Sequence, residues 1–165
     1  MSHHFETAHE EYVEFAATDR VPFAQIETIN KQLLASAPLK AFLLNMPIPV
    51  VIVEAHRQVV FANMAAQKMV GQKLSHSLGL RLGEFLGVNH RIDNRECNGQ
   101  LDTCANCNSH PIIMAALGGK KAAAEGIVTL FNDENDAQLS YRMQSTPFEI
   151  EAEPLALLTF VPASN

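Results

Sequence analysis

The sequence predicts an α+β domain built on one five-stranded antiparallel sheet, with short helices on one face and an N-terminal helical extension. Three observations point there. A β-branched run, Val50-Val51-Ile52-Val53, is followed after a short polar turn by a second apolar run, Val59-Val60-Phe61-Ala62. Short helical segments come next. Three strand-like segments in hairpin order then close the chain. Strands at both ends of the domain with helices between them favour a segregated α+β layout over alternating βαβ units.

Composition allows one such domain. The chain has 165 residues, enough for one packed core and too few for two ordinary domains. With 47% hydrophobic and 18% charged residues it belongs to the globular class rather than the disordered one. A net charge of -6, with Lys120-Lys121 as the sole adjacent basic pair, offers no electrostatic footprint for nucleic acid. No apolar run approaches bilayer length, and the first residues carry histidines and acids rather than a basic start and an apolar stretch. Cytoplasmic residence, with no membrane partner, is the expectation.

Element by element, residues 1–19 read as a polar, acidic, partly helical arm whose apolar content is Phe5, Tyr12, Val13 and Phe15. Pro22 suits the first turn of a helix, with Asp19 as a nearby N-cap. Phe23, Ile26, Ile29, Asn30, Leu33 and Leu34 then fall on one helical stripe, which suits packing on its own domain as well as it suits a dimer. Residues 1–37 are therefore set apart as the helical extension, and 38–165 as the domain. A second helix over 38–45 ends where Pro47 and Pro49 force extended backbone. His56-Arg57-Gln58 makes the turn between the first two strands. A helix over 64–70 stops at Gly71, a residue suited to a left-handed cap. Residues 89–103 form a long polar loop, a feature that is usually functional or cross-linked. A helix over 111–117 stops at Gly118-Gly119. Strands over 125–131, 138–146 and 155–161 follow, with a turn at 132–136.

Two motifs carry a resemblance. Leu44-Asn45-Met46-Pro47-Ile48-Pro49-Val50-Val51-Ile52-Val53 is similar to the approach to the first strand of a PAS domain. Val60-Phe61-Ala62-Asn63-Met64-Ala65-Ala66 resembles the PAS strand-to-helix step "aNxaa". The closing Phe160-Val161 stands where a PAS domain meets its output helix. Together these span about residues 38–162. A narrower likeness joins Arg81-Leu82-Gly83-Glu84-Phe85-Leu86-Gly87, the later cysteines, and Ser145-Thr146-Pro147-Phe148-Glu149-Ile150. That set resembles cysteine-cluster PAS domains of bacterial sensor histidine kinases, with their "GE..GC.H" and "aTPleid" segments. The chain departs from the pattern at Val88, where a cysteine is expected, although His90 is kept. No kinase or other output domain follows Asn165, so a stand-alone sensor or a fragment is expected.

The cysteines invite metal chemistry. All three lie between Cys97 and Cys107, and an odd count argues against a disulfide framework. Cys104-Ala105-Asn106-Cys107 has the spacing that lets two thiolates converge on one ion, and Cys97 is seven positions upstream. Zinc takes four nitrogen or sulfur ligands, so a histidine would complete the set. His110 stands three positions after Cys107, and His90 matches the position that the resemblance implies. A histidine-completed iron–sulfur cluster ranks behind zinc, since such clusters usually take four cysteines. Covalent c-type haem is disfavoured because position 108 is Asn rather than His. Three reduced thiols that only pack a loop are the plainer alternative.

The resemblance also implies a ligand cleft on the inner face of the sheet. Phe61, Met69 and Met143, with the polar Tyr141 and Arg142, are its candidate contacts, although core filling explains most such apolar residues equally well. His56, in a turn, reads as solvated rather than as a haem ligand. No phosphate loop, nucleophile elbow or paired-carboxylate arrangement is found, so an enzyme is not expected. The leading reading is a sensory signal-transduction module that binds a small ligand or a metal-thiolate site, dimerises, and signals to a histidine kinase or another partner. A ligand-free interaction or dimerisation module and a thiol-dependent redox enzyme are the alternatives.

Overall fold

A computed structural model describes residues 19–87, 109–120, 124–132 and 137–163. Residues 1–18 of the expected arm, the long loop at 89–103, the three cysteines, and most of the turn at 132–136 lie outside these residues.

Helix α1 (Phe23–Ala35) opens the described chain and buries Ile26, Ile29 and Leu33, the i, i+3, i+7 stripe expected of it. Pro22 occupies its N-cap and no side chain caps it, so Asp19 does not take that role. Helix α2 (Ala37–Asn45) has proline in its first turn and ends at Met46, whose backbone is extended ahead of Pro47. Strand β1 (Val50–Val53) and strand β2 (Val59–Ala62) pair antiparallel, and every residue in both is buried. Between them the Arg57 N–H donates to Glu54 O at 2.7 Å, with Arg57 at φ 66°.

Helix α3 (Met64–Val70) ends at Gly71 in the left-handed conformation, φ 71°, as its sequence predicts. Two short helices follow, α4 (Leu74–Ser77) and α5 (Leu82–Phe85). Between them residues 79–81 run along the outer edge of β2. There the Val59 N–H donates to Leu80 O and the Gly79 N–H to Val59 O, each at 2.8 Å. The edge of β2 is thus covered. Helix α6 (Ser109–Leu117) leads to β3 (Ala124–Asn132), β4 (Ala137–Ile150) and β5 (Glu153–Pro162).

The sheet is five-stranded and antiparallel, in the order β2-β1-β5-β4-β3. The first and last strands in sequence therefore meet at its centre. β4 and β5 run longer than their apolar patterns predict, joined by a two-residue turn at Glu151-Ala152, both at positive φ. β4 continues through Pro147. In a two-residue hairpin the closing pair, Ile150↔Glu153, exchanges hydrogen bonds, so alternation places Pro147↔Ala156 at a non-bonded position. Its missing N–H points away from β5, and the described β3 pairs reach no further than Ala124↔Ser145.

Helices cover both faces of this sheet, not one. Val51, Val53, Met143, Ala156, Leu158 and Phe160 pack with α5 and α6. Val50, Ile52, Phe61 and Leu155 pack with α1 and with Leu43 of α2. Strand alternation requires this division, since consecutive residues of a fully buried strand point to opposite sides. The helix expected as an N-terminal extension is thus a layer of the core.

Candidate functional site

The face under α6 is assembled from distant parts of the chain. Helix α6 crosses β3, β4 and β5 and buries Ile112, Ile113 and Ala116 against them. Met143 on β4 and Phe160 on β5 stand side by side in register, both fully buried. Phe85 of α5 and Val51 and Val53 of β1 complete the surface, with Met69 and Tyr141 half-buried at its margin.

Three of the candidate ligand contacts, Met69, Tyr141 and Met143, therefore share one cluster. Phe61 does not join them. It packs under α1, because Ile52 pairs with Phe61 while Val53 pairs with Val59, leaving Val60 as an extra residue in β2. Such a bulge breaks the two-residue alternation and puts Val60 and Phe61 on the same side. Arg142 also leaves the set, because it lies between Tyr141 and Met143 on a regular strand and is exposed on the opposite face.

Cys97, Cys104, Cys107 and His90 lie outside the described residues. His110 falls in the first turn of α6, two residues of sequence beyond Asn108. Among the described residues no group of three His, Cys, Asp or Glu side chains is placed to hold a metal ion.

The polar residues near the site divide into satisfied and unsatisfied groups. Asn63, which carries the strand-to-helix resemblance, is fully buried and makes four hydrogen bonds. Its Oδ1 accepts from the N–H groups of Val50 and Ala66, each at 2.9 Å. Its Nδ2 donates to Ile48 O at 2.8 Å and Met46 O at 3.2 Å. One side chain thus caps α3 and pins the extended segment before β1.

At the β1–β2 turn the buried Glu54 carboxylate accepts from the backbone N–H groups of His56 and Gln58, each at 2.9 Å. His56 Nδ1 lies 3.0 Å from the same carboxylate, so this histidine is engaged rather than simply solvated. Gln58 is a second hub. Its Oε1 accepts from the Val21 N–H at 2.7 Å and its Nε2 donates to Gly79 O at 2.9 Å.

Glu84 of α5 accepts from the Arg81 N–H at 2.7 Å and is paired through both oxygens with the Arg20 guanidinium. Burial pushes the Glu84 carboxyl up, but the Arg20 hydrogen bond, the Arg81 N–H and the charges of both arginines outweigh it. The carboxyl is held below its ordinary range.

One buried group on the α6 face is different. Ser145 is 1% exposed, and among the described residues its Oγ has no hydrogen-bond partner. Sequence reasoning missed it, yet a signal was present. Tyr141, Met143 and Ser145 are spaced two apart, so a regular strand that turns the first two inward turns the third inward as well.

No protein-family model matches the sequence, and no curated protein matches it significantly. Solved structures do. The chain is similar to the PAS domain of an HTR-like protein from Haloarcula marismortui, with TM-score 0.53 and 17% identity, covering 78% of this chain and 92% of that one. The PAS domain of BvgS from Bordetella pertussis gives TM-score 0.55 at 8% identity, over 78% and 85%. The PAS domain of nitrogen regulation protein NR(II) from Vibrio parahaemolyticus gives 0.50 at 16%, over 78% and 99%. At these identities the likeness establishes the fold, and the fold is PAS.

Proposed function

We propose that this PAS-fold chain is a sensory module in which the α6 face holds a small ligand, the cysteine segment holds a zinc ion, and a change at either is passed to a signalling partner. The observation that carries the reading is the position of α6. This helix roofs β3, β4 and β5, and its first residue, Ser109, is only two positions after Cys107. Any event that orders or frees the cysteines acts at the start of the helix covering the candidate cleft.

Three thiolates and one imidazole make a donor set that suits zinc. Cys97, Cys104 and Cys107 would hold the ion with His90 or His110, and the bound metal would supply a structural cross-link that chelation or thiol oxidation removes. The test is metal content with free-thiol titration on tag-free protein, before and after chelation. The expected result is about one equivalent of zinc, with thiols that become reactive only after chelation. Protein free of stoichiometric metal, with three reactive thiols throughout, overturns the metal part.

An interaction role is favoured by a separate observation. Phe23, Phe42 and Leu44 on α1 and α2 are 52%, 56% and 48% exposed. We infer that these helices also meet a second copy of the chain. Light scattering checks this: a dimer that Phe42→Ala with Leu44→Ala dissociates is expected, and a monomer at high concentration overturns it. No helix among the described residues is long and apolar enough to cross a membrane.

A further inference from the structure

Ser145 stands at an inward position of β4, opposite Leu158 on β5 and two residues along from Met143. Its hydroxyl is sealed from water and unpartnered among the described residues. A group in that state is destabilising, and natural cores retain few of them. The buried cluster on this face is apolar: Met143, Leu158, Phe160 and Ala156 from the sheet, with Ile113 and Ala116 of α6. Along β4, Arg142 and Gln144 fall on the opposite face and bring no charge to this side.

We propose that Ser145 Oγ is the polar anchor of a small uncharged ligand, apolar over most of its surface and bearing one hydroxyl or carbonyl group, held between α6 and strands β4 and β5. The proposal rests on the reading of this face as the ligand cleft. An apolar pocket with one placed polar group is the usual chemistry of small-molecule recognition. The hydroxyl both donates and accepts, so either an alcohol or a carbonyl satisfies it. A phosphate or carboxylate would lose its hydration against this apolar cluster. The aromatic rings of Phe85 and Phe160 and the thioether of Met143 suit an unsaturated ring.

Phenol and toluene are the probes, since they share a ring and differ in the hydroxyl. Their binding to the full chain and to Ser145→Ala is followed by NMR shift titration, with thermal melts of both proteins without ligand. We expect phenol to bind the wild type about tenfold more tightly than it binds Ser145→Ala, the worth of one neutral hydrogen bond. Toluene should bind both alike. The ligand-free variant should melt roughly 2–4 °C higher, because it has lost an unsatisfied group. Toluene and phenol binding both proteins equally, or a variant that melts lower, overturns the anchor and leaves the cleft standing. Binding of neither probe to either protein overturns the cleft reading itself.

Discussion

The α1 face and the α6 face of the sheet are both apolar, yet they treat their polar groups in opposite ways. Under α1 the bulge at Val60 takes a carbonyl out of the strand ladder, and Asn30 Nδ2 reaches it at 2.8 Å. Gln32 of the same helix donates to Glu151 at the β4–β5 turn, at 2.9 Å. Under α6 the Ser145 hydroxyl has no partner among the described residues. A face whose polar groups are met by its own helix is built to stay closed. A face that keeps a hydrogen bond open has one to offer to something else. On the reading proposed above, this difference would give permanence to one side of the sheet and responsiveness to the other.

Four substitutions press on this contrast. The largest effect belongs to Leu33→Ala, which empties a fully buried site between α1 and the sheet. It should cost about 3 kcal/mol in urea denaturation, as core leucine truncations do. A loss under about 1 kcal/mol would make α1 an appendage rather than a wall.

Next, Asn30→Ala strands the Val60 carbonyl and should cost about 1–2 kcal/mol by the same measurement. A neutral result would mean that the bulge needs no help from α1.

Ala152→Gly works in the other direction. Ala152 has φ 65° and is exposed, so glycine relieves a left-handed residue without removing a buried contact. A gain of roughly 0.5–1 kcal/mol in thermal melts is expected. A loss would show that the turn is not strained there.

The smallest effect is that of Glu84→Gln, which breaks a half-exposed pair worth about 0.5 kcal/mol near neutral pH. Because the Glu84 carboxyl is depressed when folded, its contribution is present above its unfolded pKa and fades as pH falls through the folded value. The gap between wild type and variant should therefore close in acid, below about pH 4. A gap that is constant from neutral pH into acid would place the effect in packing instead.

Much of the fold was legible in local pattern. The β-branched run named β1, the proline pair ended α2, and Gly71 marked the close of α3 with the left-handed backbone it was expected to adopt. The strands of the second hairpin were found but cut short. Their turn is made by Glu151 and Ala152, residues with no turn signature, so composition could not place it. The candidate site was legible in part. Met69, Tyr141 and Met143 do gather on one face, whereas Phe61 and Arg142 do not. The cysteines and His90 fall outside the described residues.

What the sequence determined by itself was the set of elements, because hydrophobic period, caps and breakers act over a few residues and need no partner. It also determined that a buried strand would carry two faces. Tertiary structure alone decided which residues took which face. A single extra residue in β2 sent Phe61 under α1, and the meeting of β1 with β5 joined segments about a hundred residues apart. It also decided which polar groups found partners. Asn30 reaches its carbonyl across 30 positions of sequence, and Ser145 reaches none among the described residues. Satisfaction of a buried group depends on what the rest of the chain brings to it, and no local window contains that information.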